Sequence, residues 1–368
     1  MIPVCEPLIA PRDIELVNDA LASGWVSSAG KYLDLFEERW AAYCGMPYGI
    51  AVSNGSTALD IAVALLDLEP GDEVVMPTFT IISPAQAVVR AGGVPVLVDS
   101  DPVTWQMDAG GIEARITSRT RAILVVHIYG HPADMDPILA LAERHGLAVI
   151  EDAAEAHGAE YKGRRCGGIG HISTFSFYAN KLVTTGEGGM VLVRTGGLAR
   201  KARSLRNLCF KPERRFEHER LGYNFRLTNL QAALGVAQIE RIDTVIARKK
   251  AIAAEYDRLL RGIDCLELPR AAAWAASVYW VYGIVVHERS GWDGQSICGE
   301  LRRRGVEARP FFLGMHEQPV FRRMGLFVGE TYPVAERLAR QGFYLPSGLG
   351  LESSQIREVA AALRDIVP

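Results

Sequence analysis

The chain has 368 residues, 49% of them apolar, and a formal charge of −3 with no long block of one sign. This is enough for a large and a small domain sharing one core, and it offers no electrostatic footing for nucleic-acid binding. Six cysteines (5, 44, 166, 209, 265 and 298) include no CxxC pair, which points to a reducing cytoplasm. No apolar run reaches the roughly 18 residues of a membrane span, and MIPVCEPLIAPRDIE lacks a charged-then-apolar leader pattern.

Helical spacing covers residues 14–22 and stops near Gly24. A polar, aromatic loop, SGWVSSAGKY, leads into a helix over 32–43. Residues 48–52 read as a strand that runs into Asn54-Gly55-Ser56-Thr57 and an apolar helix over 58–66. Strand, small-residue turn and helix start together outline an anion site, because free N–H groups and the helix dipole favour a phosphate; any capped βα turn shares the pattern. Short apolar runs at 73–76, 94–99, 122–126 and 147–150 alternate with helical patterns at 84–91 and 137–145. That alternation predicts βα units and an α/β fold with a mostly parallel, doubly wound sheet. Neither GxGxxG after a strand nor GxxxxGK[ST] occurs, so two common nucleotide fingerprints are missing.

The next stretch, HISTFSFYANKLVTTGEGGM, reads as a strand over 172–177, a tight loop carrying Lys181, a glycine-rich turn and a strand over 190–193. Helical pattern fills 226–242 and 243–260, where Arg248-Lys249-Lys250 reads as a solvated face. Beyond it, a strand over 278–286, a helix over 295–304 and a turn over 305–310 suit a small α+β domain. The division expected is a large domain over 1–250, whose N-terminal residues pack on a small domain over 251–368.

A lysine in a loop between apolar strands can be a reactive amine, because burial lowers its pKa and frees it to form a Schiff base with an aldehyde. About thirty residues upstream, the apolar run 147–150 ends in Glu151 and Asp152. Open α/β sheets bind ligands at such strand ends, and an aspartate facing a pyridine nitrogen keeps the ring protonated as an electron sink. Asp152 and Lys181 together suggest pyridoxal phosphate (PLP); a helix N-cap is the other reading of Asp152. His127 and His131 sit at a strand end and in a loop before Pro132, with no third ligand evident, so no metal is expected. His157 reads as packing or as a hydrogen bond to the loop.

EDAAEAHGAEYKG followed by STFSFYANKLVTTGEGGM resembles the DegT/DnrJ/EryC1/StrS sugar aminotransferases, a family within the fold-type I PLP enzymes. The likeness runs from PVCEP to LPSGLGL and includes SGWVSSAGKY, GYNFRLTNLQAA and RPFFLGMH. It implies that Lys181 is the Schiff-base lysine and Asp152 the partner of the pyridine nitrogen. Glu155 falls where the family commonly has Gln or another polar group near the ring hydroxyl. Gly55, Ser56 and Ser176 match phosphate contacts, with Thr57 as an addition. Ile81 stands where many relatives have an aromatic residue stacked on the ring; Phe79 is the other candidate for that cover. Asn224 resembles a residue that reaches the cofactor of the neighbouring subunit in a homodimer. Ser27, Arg226, Arg309, Phe311 and His316 fall where relatives approach a nucleotide-sugar.

The activity implied is transamination of a nucleotide-linked 4-keto-6-deoxysugar, with GDP-4-keto-6-deoxymannose first in line and glutamate as donor. A dTDP- or UDP-linked keto sugar, or a keto sugar acid, is the alternative. Sugar dehydration at C3 goes with histidine in place of the lysine, which Lys181 argues against. A sugar-nucleotide sensor with an unreactive PLP site is the non-enzymatic alternative.

Overall fold

The computed structural model describes residues 1–211 and 213–367. Its centre is a seven-stranded sheet built from β1 (Tyr48–Val52), β2 (Glu73–Pro77), β3 (Val94–Val98), β4 (Thr120–Val126), β5 (Ala148–Asp152), β8 (Ile172–Ser176) and β9 (Gly189–Val193). The order across the sheet is β1-β9-β8-β5-β4-β2-β3. Only β9 runs against the rest, pairing antiparallel with both β1 and β8. Between β5 and β8, β6 (Glu160–Tyr161) and β7 (Arg164–Arg165) form a hairpin that is joined by β11 (Ala275–Ala276). Val74, Val75, Met76, Ile123 and Leu124 have no exposed surface, as expected of strands covered by helices on both faces. Such a sheet gathers its strand ends at one edge, and that edge carries the site.

Side chains alternate between the faces of a strand, and β5 uses the alternation to separate two acids. Asp152 points to the strand-end cavity, whereas Glu151 turns into the opposite layer. There Glu151 accepts hydrogen bonds from the N–H groups of Gly167 (2.8 Å), Ile169 (2.8 Å) and Gly170 (2.5 Å). His127 Nδ1 accepts from Ala133 N–H at 3.0 Å, which leaves Nε2 to carry the proton toward Glu151, also at 3.0 Å. Burial works to raise the Glu151 pKa, but the His127 bond and the N–H groups outweigh it and hold the pKa below the ordinary glutamate value.

The second sheet has the order β10 (Leu266–Glu267), β12 (Tyr282–Val286), β14 (Gly342–Leu345) and β13 (Arg309–Pro310). The helices Ile242–Leu260, Gly294–Arg303 and Ser353–Arg364 surround it. Its core draws on Ile252, Tyr256, Ile297 and Leu363, together with Ile2 from the N-terminus, which bridges to Val306. Among the described residues no helix is long and apolar enough to cross a membrane.

Two local expectations change. The cluster Arg248-Lys249-Lys250 is solvated only in part: Lys250 is exposed, but Lys249 is buried and donates to Ser347 O (2.6 Å) and Oγ (2.9 Å), and Arg248 reaches Leu349 O. Burial pushes the Lys249 pKa down to about 8. The strand expected from residue 278 begins only at Tyr282, because Val278 and Trp280 donate their N–H groups to Gly130 O and Tyr129 O instead. Those two bonds tie the 278–280 segment to the 129–130 turn after β4.

Glu151→Gln places an amide N–H₂ among donors and is expected to cost about 2–4 kcal/mol. Thermal unfolding of the variant should fall by about 5 °C or more. Because the folded-state pKa of Glu151 is depressed, its contribution is present above the ordinary glutamate pKa and is lost as pH falls through the folded value. The gap between variant and parent should therefore narrow in acid; a gap independent of pH would contradict this assignment.

Candidate active site

The strand ends open into a cavity of about 420 Å³. Three segments form one end of it. After β1, Asn54 caps the helix Gly55–Ala64: its Oδ1 accepts Thr57 N–H at 2.9 Å, while Thr57 Oγ1 donates to Asn54 O at 2.8 Å. The N–H groups of Gly55 and Ser56 then lie in the first turn, with no intrahelical carbonyl and at the positive end of the dipole. The Ser56 hydroxyl meets that of Ser83 at 2.9 Å, and Ser176 at the end of β8 closes the third side. A side chain on Gly55 would fill this cradle, since its Cβ would stand 2.7 Å from Ser176 Cβ. The donor set and shape suit a phosphate.

The other end is ionic. Asp152 is 3% exposed and accepts a hydrogen bond from Ala154 N–H at 3.1 Å. Burial pushes its pKa up, against the pull of that N–H and of Lys181. Lys181 Nζ lies 3.8 Å from Glu155 Oε1 and 3.6 Å from the centre of the Trp280 ring. Burial lowers the Lys181 pKa, and the charges of Glu155 and Asp152 only partly offset it. Glu155 accepts Tyr129 N–H at 2.7 Å, and burial raises its pKa despite the lysine. Two carboxylates thus surround one amine, and a protonated pyridine nitrogen beside Asp152 would supply the missing cation. Thr80 Oγ1 and Asn180 Oδ1, both on residues that line the cavity, are buried without a hydrogen-bond partner, as a polar guest would require.

The lysine loop is fixed along its length. Lys181 N–H bonds to Tyr178 O and Thr185 N–H to Phe177 O, each at 2.9 Å. His157 Nδ1 accepts Val183 N–H at 3.2 Å, and burial among Trp40, Phe175 and Phe177 drives its pKa down to about 3. The neutral ring therefore serves the loop as an acceptor at ordinary pH.

The residues singled out in the sequence divide into two groups. Gly55, Ser56, Ile81, Asp152, Glu155, Ser176 and Lys181 all line the one cavity. Thr57 does not, because its hydroxyl is engaged in the cap. Phe79 is buried against Tyr129 and Phe311, so Ile81 alone of the two faces the cavity. Phe311 packs inward against Trp105 and Tyr129, and its neighbour Phe312 takes the cavity wall. His316 is also internal: Nδ1 meets Thr78 Oγ1 at 2.8 Å and Nε2 meets Glu336 at 3.2 Å. Neither Phe311 nor His316 lines this cavity. Arg309 pairs with Glu307 beside Tyr344, and Arg226 donates to Asn207 Oδ1 at 2.8 Å. Asn224 and Ser27 are exposed and stand apart from this chain's own cavity. Trp280, Phe312, Tyr344 and Glu187 line the cavity without having been marked in the sequence.

A phosphate cradle, an acid at the end of a central strand and a buried lysine in the following loop make up the site of a PLP enzyme. A model of the DegT/DnrJ/EryC1/StrS aminotransferase family matches residues 7–364. The chain is 40% identical over 367 residues to a GDP-perosamine synthase of Caulobacter vibrioides, covering 100% of this chain and 98% of the relative. It is 37% identical over 364 residues to the GDP-perosamine synthase of Escherichia coli O157:H7, covering 99% and 98%. In structure it is similar to the aminotransferase TlmJ from Streptoalloteichus hindustanus, with a TM-score of 0.92, 29% identity and coverage of 99% and 98%. The chain belongs to the DegT/DnrJ/EryC1/StrS family and is a PLP-dependent sugar aminotransferase.

Gly55→Ala tests the cradle. The added methyl group overlaps Ser176, and a strain of roughly 1–3 kcal/mol should weaken PLP binding about tenfold while the protein stays folded. Absorbance titration of the cofactor-free protein checks this; unchanged affinity would place the phosphate elsewhere.

Proposed function

We propose that the enzyme aminates C4 of GDP-4-keto-6-deoxymannose to give GDP-perosamine, with glutamate as the amino donor. The observation that carries the reaction type is the Lys181 amine, buried between Asp152 and Glu155 beside a phosphate cradle. The GDP sugar is supported by full-length similarity to enzymes that bear the name GDP-perosamine synthase.

Bound PLP supplies an aldehyde for the amine and a ring that takes up electrons from the donor's Cα. In this reading the N–H groups of Gly55 and Ser56 and the Ser176 hydroxyl hold the phosphate. Ile81 covers one face of the ring, and Glu155 stands near the ring hydroxyl. Asp152 holds the proton on the pyridine nitrogen. Lys181 anchors the cofactor at rest. With PLP bound, Lys181 would be the group that takes the proton from the donor's Cα as base and gives it back as acid. Its lowered pKa leaves more neutral amine at neutral pH than an ordinary lysine would have. With the keto sugar bound, the same amine would take a proton from the aminated cofactor and deliver it to sugar C4. Trp280, Phe312 and Tyr344 wall the cavity and keep water from the exchange.

Assembly is part of the proposal. Leu221 is 95% exposed and Trp25 60% exposed in the single chain, next to the loop that presents Asn224 and Arg226. A two-fold dimer that covers them would lend Asn224 to the partner's cofactor.

Turnover of a panel of GDP-, dTDP- and UDP-linked 4-keto-6-deoxysugars with glutamate tests the substrate. The GDP-mannose derivative should have the highest kcat/KM, and preference for a dTDP or UDP sugar would overturn the choice of base. Lys181→Ala should bind PLP yet lose at least about 10²-fold in rate, and Asp152→Asn should also be strongly impaired, because a neutral amide cannot hold the pyridine proton. A Lys181→Ala enzyme with parental rate would remove the lysine from the mechanism. Mixing inactive Lys181→Ala with an inactive Asn224→Ala/Arg226→Ala double variant should restore activity once subunits exchange. No recovery after proven exchange would contradict sites shared across the dimer.

A further inference from the structure

Trp280 bonds through its backbone to the turn after β4, yet its ring lies against the Lys181 amine. Lys181 Nζ stands 3.6 Å from the indole centroid, well inside the range of about 6 Å for a cation–π contact. Three contacts hold the residue, one of them through its ring. Its Nε1–H donates to Asn180 O at 2.8 Å, so the residue that faces the amine also grips the peptide just before it. Its backbone N–H donates to Tyr129 O at 3.1 Å. Its chain passes so close to Gly130 (φ 86°) that a Cβ there would lie 2.8 Å from Trp280 N.

We propose that Trp280 is a positioning residue for Lys181, holding the ammonium form of the released amine against the indole face. Among the described residues Lys181 Nζ makes no hydrogen bond; its neighbours are the 3.8 Å ion pair with Glu155 and this ring. The titratable groups facing it are Glu155 and Asp152 from β5 and its following loop, Cys5 from the N-terminal segment and His157 behind the loop. A hydrogen-bonded carboxylate would fix the ammonium in one geometry and hold its proton. The π face stabilises the charge without a directional acceptor, so the amine can swing between the donor's Cα and C4′ while staying over one surface. The role in proton transfer rests on the transaminase reading, whereas the effect on the amine itself does not.

The test exchanges Trp280 in the full-length protein for tryptophan carrying one, two or three ring fluorines. This drains the π face without changing shape. The readout is the pH midpoint of Lys181 in the cofactor-free protein, followed by reductive methylation and mass spectrometry of its peptide. The midpoint should fall stepwise with fluorination, by about half a unit or more across the series. A midpoint that ignores fluorination or rises would overturn the proposal. In the PLP-loaded protein, Trp280→Leu should slow the half-reaction with the amino donor about tenfold and enlarge the isotope effect from α-deuterated donor, with cofactor affinity kept. Trp280→Phe should recover part of the rate. An isotope effect equal to the parent's would overturn the positioning role, and the fluorinated series serves if the leucine variant does not fold. A protein that aminates no keto sugar but shows the fluorine-dependent midpoint would sink the transaminase reading and leave the contact standing.

Discussion

A single amine buried between two carboxylates, with one positive charge too few, is the constraint on which the rest of this structure depends. Lys181 faces Asp152 and Glu155 with almost no solvent to screen them, and burial pushes all three toward their neutral forms. Such a cluster is unfavourable by itself and is tolerated because its frame is rigid. His157 holds the lysine loop at Val183, Trp280 holds it at Asn180, and Tyr129 N–H holds Glu155. A protonated pyridine beside Asp152 and a phosphate at the Gly55 cradle would complete the charge balance, one at each end of the cavity.

The rigidity has its source one residue away. Glu151 and Asp152 are chemically alike and adjacent, but the alternation of β5 sends them into different layers. Glu151 meets three N–H groups and His127, which satisfy its charge and tie the Gly167–Gly170 turn to the strand. Asp152 has Ala154 N–H and otherwise faces the cavity. The first acid is a finished structural contact and the second an unfinished one. An acid that still lacks a cation is what a cofactor site requires.

The mostly parallel sheet, and the two stretches that bring Asp152 and Lys181 to one cavity, were legible because their signals are local. Apolar runs of strand length alternate with helical spacing, and the Lys181 and Asp152 stretches carry their motifs in contiguous sequence. The walls of the site were less legible. Phe311 and Phe312 are adjacent aromatics, and only the backbone direction at β13 decides which one faces the cavity. His316 carries no mark distinguishing a substrate contact from a bridge between Thr78 and Glu336. Trp280 lay hidden in a run, SVYWVYGIVV, whose β-branched and aromatic residues read as continuous strand. Its contacts with Gly130, Asn180 and Lys181 join positions far apart in the chain, with the Asn180 bond spanning 100 residues. Lys249 was misread for a similar reason, since its partner Ser347 lies 98 residues away.

The central claim is that Asp152 is held ready for a cation which the cofactor brings. The most direct test is the protonation midpoint of the Asp152 carboxyl, read by carbon NMR with labelled aspartate and assigned with Asp152→Asn, before and after loading with PLP. The account predicts a midpoint above the ordinary aspartate value in the cofactor-free protein that drops by about one unit or more on loading, as the carboxylate pairs with the ring nitrogen. An Asp152 midpoint that stays where it was, or rises, when PLP binds would contradict it.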